Sequence, residues 1–192
     1  PPPPRNELVE AVPEVPFKGK GLPLSKFMGQ ASIVTNMKLD DPVSLQQLPN
    51  LAYLASKYQN LNILVFPTDQ GWFETDENDI LRIKTYNSFG FGQFPRATVF
   101  DKVDVLGPNA HPLFVYLCKQ CPNGNGVRRI TIDYEKFLLN ANGQPVRRYP
   151  RKWDPLAMEQ DIKLTLAGKP LAPSPKLDLA WEAADREAER GE

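Results

Sequence analysis

Two short apolar runs separated by an amphipathic segment constrain the fold of this chain more than any other feature. The runs at 31–36 (ASIVTN) and 61–66 (LNILVF) are rich in β-branched and aliphatic residues, which is typical of buried strands. Between them, apolar residues recur at helical spacing over 46–59, which predicts a helix with one buried face. The order strand, helix, strand is typical of a sheet that is covered by helices.

The rest of the middle of the chain alternates in the same way. Helices are expected at 76–86, 109–120 and 155–167, with Asp76 and Asn109 as candidate caps of the first two, short strands at 98–100 and 103–105, and a hairpin formed by 134–139 and 146–149. We therefore expect an α/β domain with helices on both faces of its sheet.

Proline marks both ends of the chain. The 192 residues include 20 prolines, many of them near the termini, and proline resists helix interiors and lacks a backbone donor. We predict an extended Pro-rich arm over 1–16, a domain over 17–168 and a second arm over 169–192. The second arm has an amphipathic stripe over 176–190 that predicts a short helix, either frayed or docked.

Bulk composition excludes few functions. The 23 basic and 23 acidic side chains give no net charge, so nothing in the balance favours nucleic acid or an anionic membrane. No apolar run approaches the roughly 18 to 20 residues of a membrane span. Two cysteines are too few for a disulfide framework. The first residue is Pro1 rather than Met, so we expect a processed protein from which a targeting segment has been removed.

Three stretches carry a resemblance to a known family. They are LVFPTDQ at 64–70, KVDVLGPNAHPL at 102–113 and ITIDYEKFLL at 130–139. In this order and at this spacing they resemble the glutathione peroxidases, over roughly residues 17–168. The resemblance implies a thioredoxin-like α/β fold, with a mixed central sheet of about four or five strands flanked by helices.

The resemblance also implies a peroxide-reducing site, and its parts can be checked. The family's nucleophile, a thiolate or selenolate, aligns with Asp41 or, anchored on the following helix, with Pro42. The family's Gln aligns with Gln70, its Trp with Ile132 and its Asn with Asp133. Aspartate and proline have no soft atom to accept oxygen, and an anionic Asp133 beside an anionic Asp41 disfavours a further anion. The sequence thus predicts a protein that has lost peroxidase activity and needs no cofactor.

Cys118 and Cys121 form the sharpest alternative, a Cys-x-x-Cys redox pair. They fall at the C-terminal end of the predicted helix at 109–120, where the helix dipole opposes a thiolate. A buried helix-end pair is therefore the favoured interpretation. His111 is interpreted as a helix-start residue, and Asp40, Asp41 and Asp133 as a weak signal for a divalent metal.

A scaffold without catalysis suggests a structural subunit, with both arms binding other subunits of a larger assembly. The expected location is mitochondrial, in a respiratory complex or a ribosome, or otherwise cytoplasmic, and no small-molecule substrate is expected. RNA contact remains an alternative, through a basic cluster at 147–152. The candidate partner contacts are Trp72, Phe73, Arg147, Arg148, Arg151, Leu177 and Trp181.

Overall fold

The computed structural model describes residues 5–91, 94 and 96–190. The helices are α1 (Glu7–Ala11), α2 (Ser44–Lys57), α3 (Asn78–Phe89), α4 (Pro112–Gln120), α5 (Glu159–Leu166) and α6 (Pro175–Glu189), with short 3₁₀ helices at Leu24–Phe27 and Pro155–Met158. The strands are β1 (Glu14–Phe17), β2 (Lys20–Pro23), β3 (Ala31–Met37), β4 (Leu61–Pro67), β5 (Ala97–Val99), β6 (Lys136–Leu139) and β7 (Pro145–Tyr149).

Five of these strands form a mixed central sheet in the order β5-β4-β3-β6-β7. β3, β4 and β5 run parallel, whereas β6 is antiparallel to β3 and to β7. Side chains alternate between the two faces of a strand, so Ile33 packs with α2, α5 and α6, while the neighbouring Val34 packs with α1 and α4. The expected layering of helices on both faces of a mixed sheet is confirmed.

The predicted N-terminal arm is wrong for the part that the structure describes. Residues 7–11 form α1, and residues 14–17 form β1, which pairs with β2. The side chains of Leu8, Val12 and Val15 are each 1% exposed, and they lie in the same core cluster as α4. Burial of three aliphatic side chains outweighs the extended tendency of the flanking prolines. Residues 1–4 lie outside the described part of the chain.

The C-terminal segment is also docked, as α6. Ser174 caps this helix by accepting a hydrogen bond from the Leu177 N–H, and Pro175 occupies its first turn. Leu177 and Trp181 are buried in the core that contains α2 and α5. The prediction that these two side chains contact partner proteins is therefore wrong, because they contact the chain's own domain.

Several boundaries differ from the predicted ones for local reasons. α2 begins at Ser44, so Pro49 lies inside it rather than in its first turn. The caps of α3 and α4 are Glu77 and His111, and the His111 imidazole accepts a hydrogen bond from the Leu113 N–H. The segment 103–105 is not a strand, because its backbone is bound by the Gln70 side chain, as described below.

Candidate functional site

The segment that follows β3 carries the position aligned with the family's nucleophile. Asp41 lies between β3 and α2, where its carboxylate accepts a hydrogen bond from the Val43 N–H at 2.9 Å and its carbonyl accepts one from the Ser44 N–H. Its side chain is 2% exposed. A carboxylate so enclosed requires a cation or several donors.

Arg151 supplies that cation from the far side of the site. Its Nη2 lies 2.7 and 2.9 Å from the two carboxylate oxygens of Asp41, and its Nε lies 3.1 Å from Oδ2. This forked contact joins the segment after β3 to the segment after β7, 110 residues apart. The guanidinium Nε also lies 3.7 Å from Asp133 Oδ1. One arginine therefore lies against two carboxyl groups.

The two carboxyl groups titrate in opposite directions. Burial, together with the neighbouring Asp41, raises the pKa of Asp133 to about 7. Burial alone would raise the pKa of Asp41 as well, but hydrogen bonds from Asp133 and Arg151 lower it. The site therefore favours the ionised form of Asp41 and the protonated form of Asp133, and the two carboxyl groups titrate as a pair. Whether two anions stand side by side here depends on pH, because Asp133 with a pKa of about 7 is only partly ionised at neutral pH, while Arg151 balances the charge of Asp41.

Gln70 follows β4 and binds backbone with both ends of its amide. Its Oε1 accepts hydrogen bonds from the N–H groups of Val105 and Leu106 at 2.7 and 2.9 Å, and its Nε2 donates to the Leu106 carbonyl at 2.8 Å. These contacts hold the 103–106 segment, which is why that segment does not pair as a strand. The amide of Gln70 here fixes a loop.

The loop before β6 brings the other aligned positions beside Asp41. Ile132 is 41% exposed, and its carbonyl accepts a hydrogen bond from the Asn36 side chain at 3.1 Å. Tyr134 has a left-handed backbone (φ 57°) and is fully buried, with its hydroxyl 2.6 Å from Ser44 Oγ. Ser44 in turn donates to the Lys38 carbonyl. Sequence reasoning missed Tyr134 and Ser44, although both flank aligned positions.

An aromatic pair lies at the edge of the same site. Trp72 is 43% exposed and Phe73 is 76% exposed. The Trp72 indole N–H donates to the Asp40 carboxylate at 2.8 Å, and the buried Lys38 ammonium lies 5.0 Å from the Trp72 ring centroid and binds the Trp72 carbonyl. Burial lowers the pKa of Lys38. Asp40 and Asp41 thus bind different partners, and within the described residues no cluster of three or more acidic, His or Cys side chains forms a metal site.

Cys118 and Cys121 lie away from this site. Cys118 is 2% exposed in the core beneath α4, and Cys121 follows the last turn of that helix. Burial raises the pKa of Cys118 to about 11 and also raises that of Cys121, although Arg148 acts in the opposite direction. At neutral pH both are therefore thiols rather than thiolates, which disfavours nucleophilic chemistry.

The three arginines of the predicted basic cluster bind groups of this chain, whereas Lys152 remains exposed. Arg148 is 3% exposed; it forms an ion pair with the fully buried Glu135 and donates to the carbonyls of Val127 and Arg129. Arg147 pairs with Asp161, and Arg151 with Asp41 as described. The interpretation of Arg147, Arg148 and Arg151 as partner contacts is therefore corrected, since their guanidinium groups bind this chain.

Sequence reasoning missed a second buried charge. Lys136 is fully buried, and its ammonium donates to the carbonyls of Tyr134 and Pro150 at 2.9 and 3.0 Å. Burial lowers its pKa to about 7. Lys136 and Glu135 lie in the stretch at 130–139 that resembles the glutathione peroxidases. These two buried charged residues therefore belong to the part of the chain that carries the resemblance.

The fold defines the class of protein first. Solved structures with this architecture include T. cruzi GPX1, with a TM-score of 0.62 and 23% identity over 80% of this chain and 94% of that one. A thiol:disulfide interchange protein of the thioredoxin family from Chlorobium tepidum matches with a TM-score of 0.52 and 15% identity, over 81% and 97%. The chain has a thioredoxin-like fold.

The sequence comparisons define the family. The family model described as glutathione peroxidase matches residues 10–118. The chain is 34% identical to the glutathione peroxidase homolog BsaA of Bacillus subtilis over 75% of its own length and 89% of that protein. It is 35% identical to phospholipid hydroperoxide glutathione peroxidase 1, chloroplastic, of Arabidopsis thaliana, over 78% of its length and 62% of that protein. The chain belongs to the glutathione peroxidase family. In the part of the chain that the structure describes, no helix is both long and apolar enough to cross a membrane.

Proposed function

We propose that this protein is a non-catalytic member of the glutathione peroxidase family. The observation that carries the proposal is the chemistry of the nucleophile position, where Asp41 is ion-paired with Arg151 and the adjacent residue is Pro42. A carboxylate oxygen cannot be oxidised by a peroxide to an acid that thiols then reduce. The donor positions support the same conclusion, since Ile132 has no N–H in its side chain and Asp133 has a carboxyl group, with a pKa raised to about 7, in place of an amide.

A peroxide-consumption assay tests this proposal. Purified full-length protein is given hydrogen peroxide or an organic hydroperoxide with glutathione or with a thioredoxin system, and the expected rate equals that of buffer. The double variant Cys118→Ser/Cys121→Ser is the control, because it removes both thiols. Turnover that survives in this variant contradicts the proposal, and turnover that the variant loses supports the thiol oxidoreductase alternative.

We further propose that the protein acts as an accessory subunit of a larger assembly. The support is the exposed aromatic pair at the altered site: aromatic side chains are enriched where proteins bind one another, and Trp72 and Phe73 are held outward beside a site with no catalytic use. We place the assembly in mitochondria, as a respiratory complex or ribosome, with the cytoplasm as the alternative location.

Native purification followed by cross-linking and mass spectrometry tests the accessory role. The protein is expected to co-migrate with other subunits, with cross-links concentrated near residues 69–76, and Phe73→Ser is expected to weaken that association about tenfold or more. Leu179→Ser is the matched control, since Leu179 is 62% exposed on α6 against 76% for Phe73. Recovery of the wild-type protein solely as a free monomer contradicts the role.

A further inference from the structure

A groove of about 480 Å³ lies between α6 and two segments of the domain, residues 123–135 and 150–153. Its volume is within the range of pockets that hold small molecules. Ile132 and Arg151 line the groove, so it opens beside the altered nucleophile position. It is nevertheless a separate space, because the Asp41 carboxylate is occupied by Arg151 and does not line it.

The walls of the groove combine polar and apolar residues, and the apolar part is formed mainly by alanines of α6 and by two tryptophans. On α6, Ala180, Ala184 and Ala188 recur at intervals of four residues and so share one face of the helix. Their small side chains leave open the space between the helix and the domain. Trp153 and Trp181 contribute to the walls, and aromatic side chains favour both apolar groups and organic cations.

The groove is fixed by contacts along the helix that borders it. The Asn125 side chain donates to the Trp181 carbonyl at 3.1 Å, and Lys152 pairs with Glu187 at 3.0 Å. Trp181 also donates its indole N–H to the Arg148 carbonyl at 3.2 Å. The helix is therefore held at its middle and near its C-terminal end while the space beneath the alanines stays open.

Three acidic and two basic side chains line the groove, so the lining has one carboxylate in excess. Glu135 is paired with Arg148, Arg151 with Asp41 and Lys152 with Glu187. The remaining lining carboxylate, Asp185, has no cation within ion-pair distance among the described residues. A ligand that complements this groove therefore carries a positive charge at one end and an apolar body at the other.

We propose that the groove under α6 is a binding site for a small amphipathic organic cation, an ammonium with an aromatic or aliphatic body. The body lies against the alanine face and the tryptophans, and the ammonium lies at Asp185. The ligand is bound and not transformed, so the site does not depend on whether the protein is a peroxidase.

Three probes with one body and different charges test the site. 4-Phenylbutylamine, 4-phenylbutanol and 4-phenylbutanoate are titrated into the ¹⁵N-labelled full-length chain, and dissociation constants are taken from amide shifts. The amine is expected to bind about three- to tenfold more tightly than the alcohol, with the acid weakest, because a cation gains from both Asp185 and the aromatic wall. The shifted amides are expected in α6 and in residues 123–135 and 150–153.

Variants of two lining residues test where the probes bind and whether Asp185 contacts the ammonium. Ala188→Phe, at an exposed position in the groove lining, is expected to weaken all three probes at least about fivefold by filling space. Asp185→Asn is expected to bring the amine to within about twofold of the alcohol, whereas Asp178→Asn, on the same helix and outside the groove lining, is expected to leave the preference unchanged. The proposal is overturned if no probe binds, if the acid binds as tightly as the amine, if Ala188→Phe has no effect, or if Asp178→Asn and Asp185→Asn act alike.

Discussion

Two arginines three residues apart form ion pairs of different character. Arg148 and Glu135 have side chains 1% and 0% exposed, and backbone carbonyls and two aromatic rings surround the guanidinium. Arg151 remains 22% exposed, and besides Asp41 it faces the carboxyl group of Asp133, whose pKa is raised to about 7. The first pair is therefore an integral part of the core, whereas the second lies in a partly exposed site and balances the charge of Asp41.

The difference has a physical consequence for substitution. A fully buried pair that loses one partner leaves an unpaired charge in the interior, which is strongly unfavourable. At the Arg151 site, the loss of the cation can be relieved by proton uptake, because Asp41 lies beside Asp133, whose pKa is raised to about 7. The two pairs are thus expected to differ both in how much stability they contribute and in how that contribution depends on pH.

Replacement of Arg148 by Met is expected to have the largest effect. It leaves the Glu135 carboxylate buried without its cation and removes the donors to the Val127 and Arg129 carbonyls, so the free energy of unfolding should fall by about 3–5 kcal/mol. Urea denaturation followed by far-UV circular dichroism measures it. Arg186→Met, at an exposed position of α6, is the control, with an expected change within about 0.5 kcal/mol. A loss below about 1 kcal/mol for Arg148→Met contradicts the distinction between the pairs.

Gly124→Ala tests whether α6 is held against the domain by the Trp181 ring, which lies beside the Arg148–Glu135 ion pair. The Trp181 ring lies over the Arg148 guanidinium at 5.8 Å, and a Cβ added at Gly124 would meet Trp181 side-chain atoms at 2.5 Å. The variant should therefore lose about 1–3 kcal/mol through overpacking and expose α6 to limited proteolysis. The cost of Gly124→Ala should fall sharply in a Trp181→Ala background, since that removes the clash. An equal cost in both backgrounds would show that the contact does not hold α6.

Replacement of Arg151 by Gln should cost less, about 1–2 kcal/mol at pH 7.5, because Asp41 then takes up a proton. The lowered pKa of Asp41 gives the sign: its contribution is present above the unfolded pKa near 4 and is lost as pH falls. The difference in unfolding free energy between wild type and variant should therefore persist above about pH 4 and shrink below it, as measured by urea denaturation from about pH 2.5 to pH 8. A cost independent of pH would mean that Arg151 acts through packing alone.

The sequence predicted the elements of the central part of the chain and the C-terminal helix, but not how the two ends pack. β3 and β4 are short runs buried along their whole length and α2 has apolar residues at helical spacing, so these elements are specified locally. The proline-rich flanks of α1 pointed to an extended arm, and the docking of α6, in which Trp181 packs against Gly124, depends on residues distant in sequence. Tertiary contact overrides local propensity in such segments.

For the site, alignment located Asp41, Gln70, Ile132 and Asp133, and the structure brings Asp41 and Asp133 together with Arg151. Their partners were not readable from the sequence, because Arg151 lies 110 residues from Asp41. The basic run at 147–152 was interpreted as a surface for the same reason: neighbours in sequence need not share a face, and Arg148 points into the core. The ionisation of Asp133 likewise depends on burial, which a sequence does not show.

Asp133→Asn is expected to have the smallest effect, and the effect should be a gain. The pKa of Asp133 is raised to about 7 in the folded chain against 3.8 as the ordinary value. The contribution of Asp133 to stability is therefore fully present below pH 4 and is lost as pH rises to 7, while the unfolded chain releases a proton that the folded chain retains. Asparagine keeps a donor towards Asp41 and has no proton to lose. The variant should therefore match the wild type near pH 4 and exceed it by about 1 kcal/mol at pH 7.5, the full linkage value being reduced by the solvent access of the site. Chemical denaturation at both pH values measures the gain, with Asp178→Asn on α6 as the exposed control. A loss at pH 7.5 would show that Asp133 is ionised there and pairs with Arg151, which would make the two arginine sites alike.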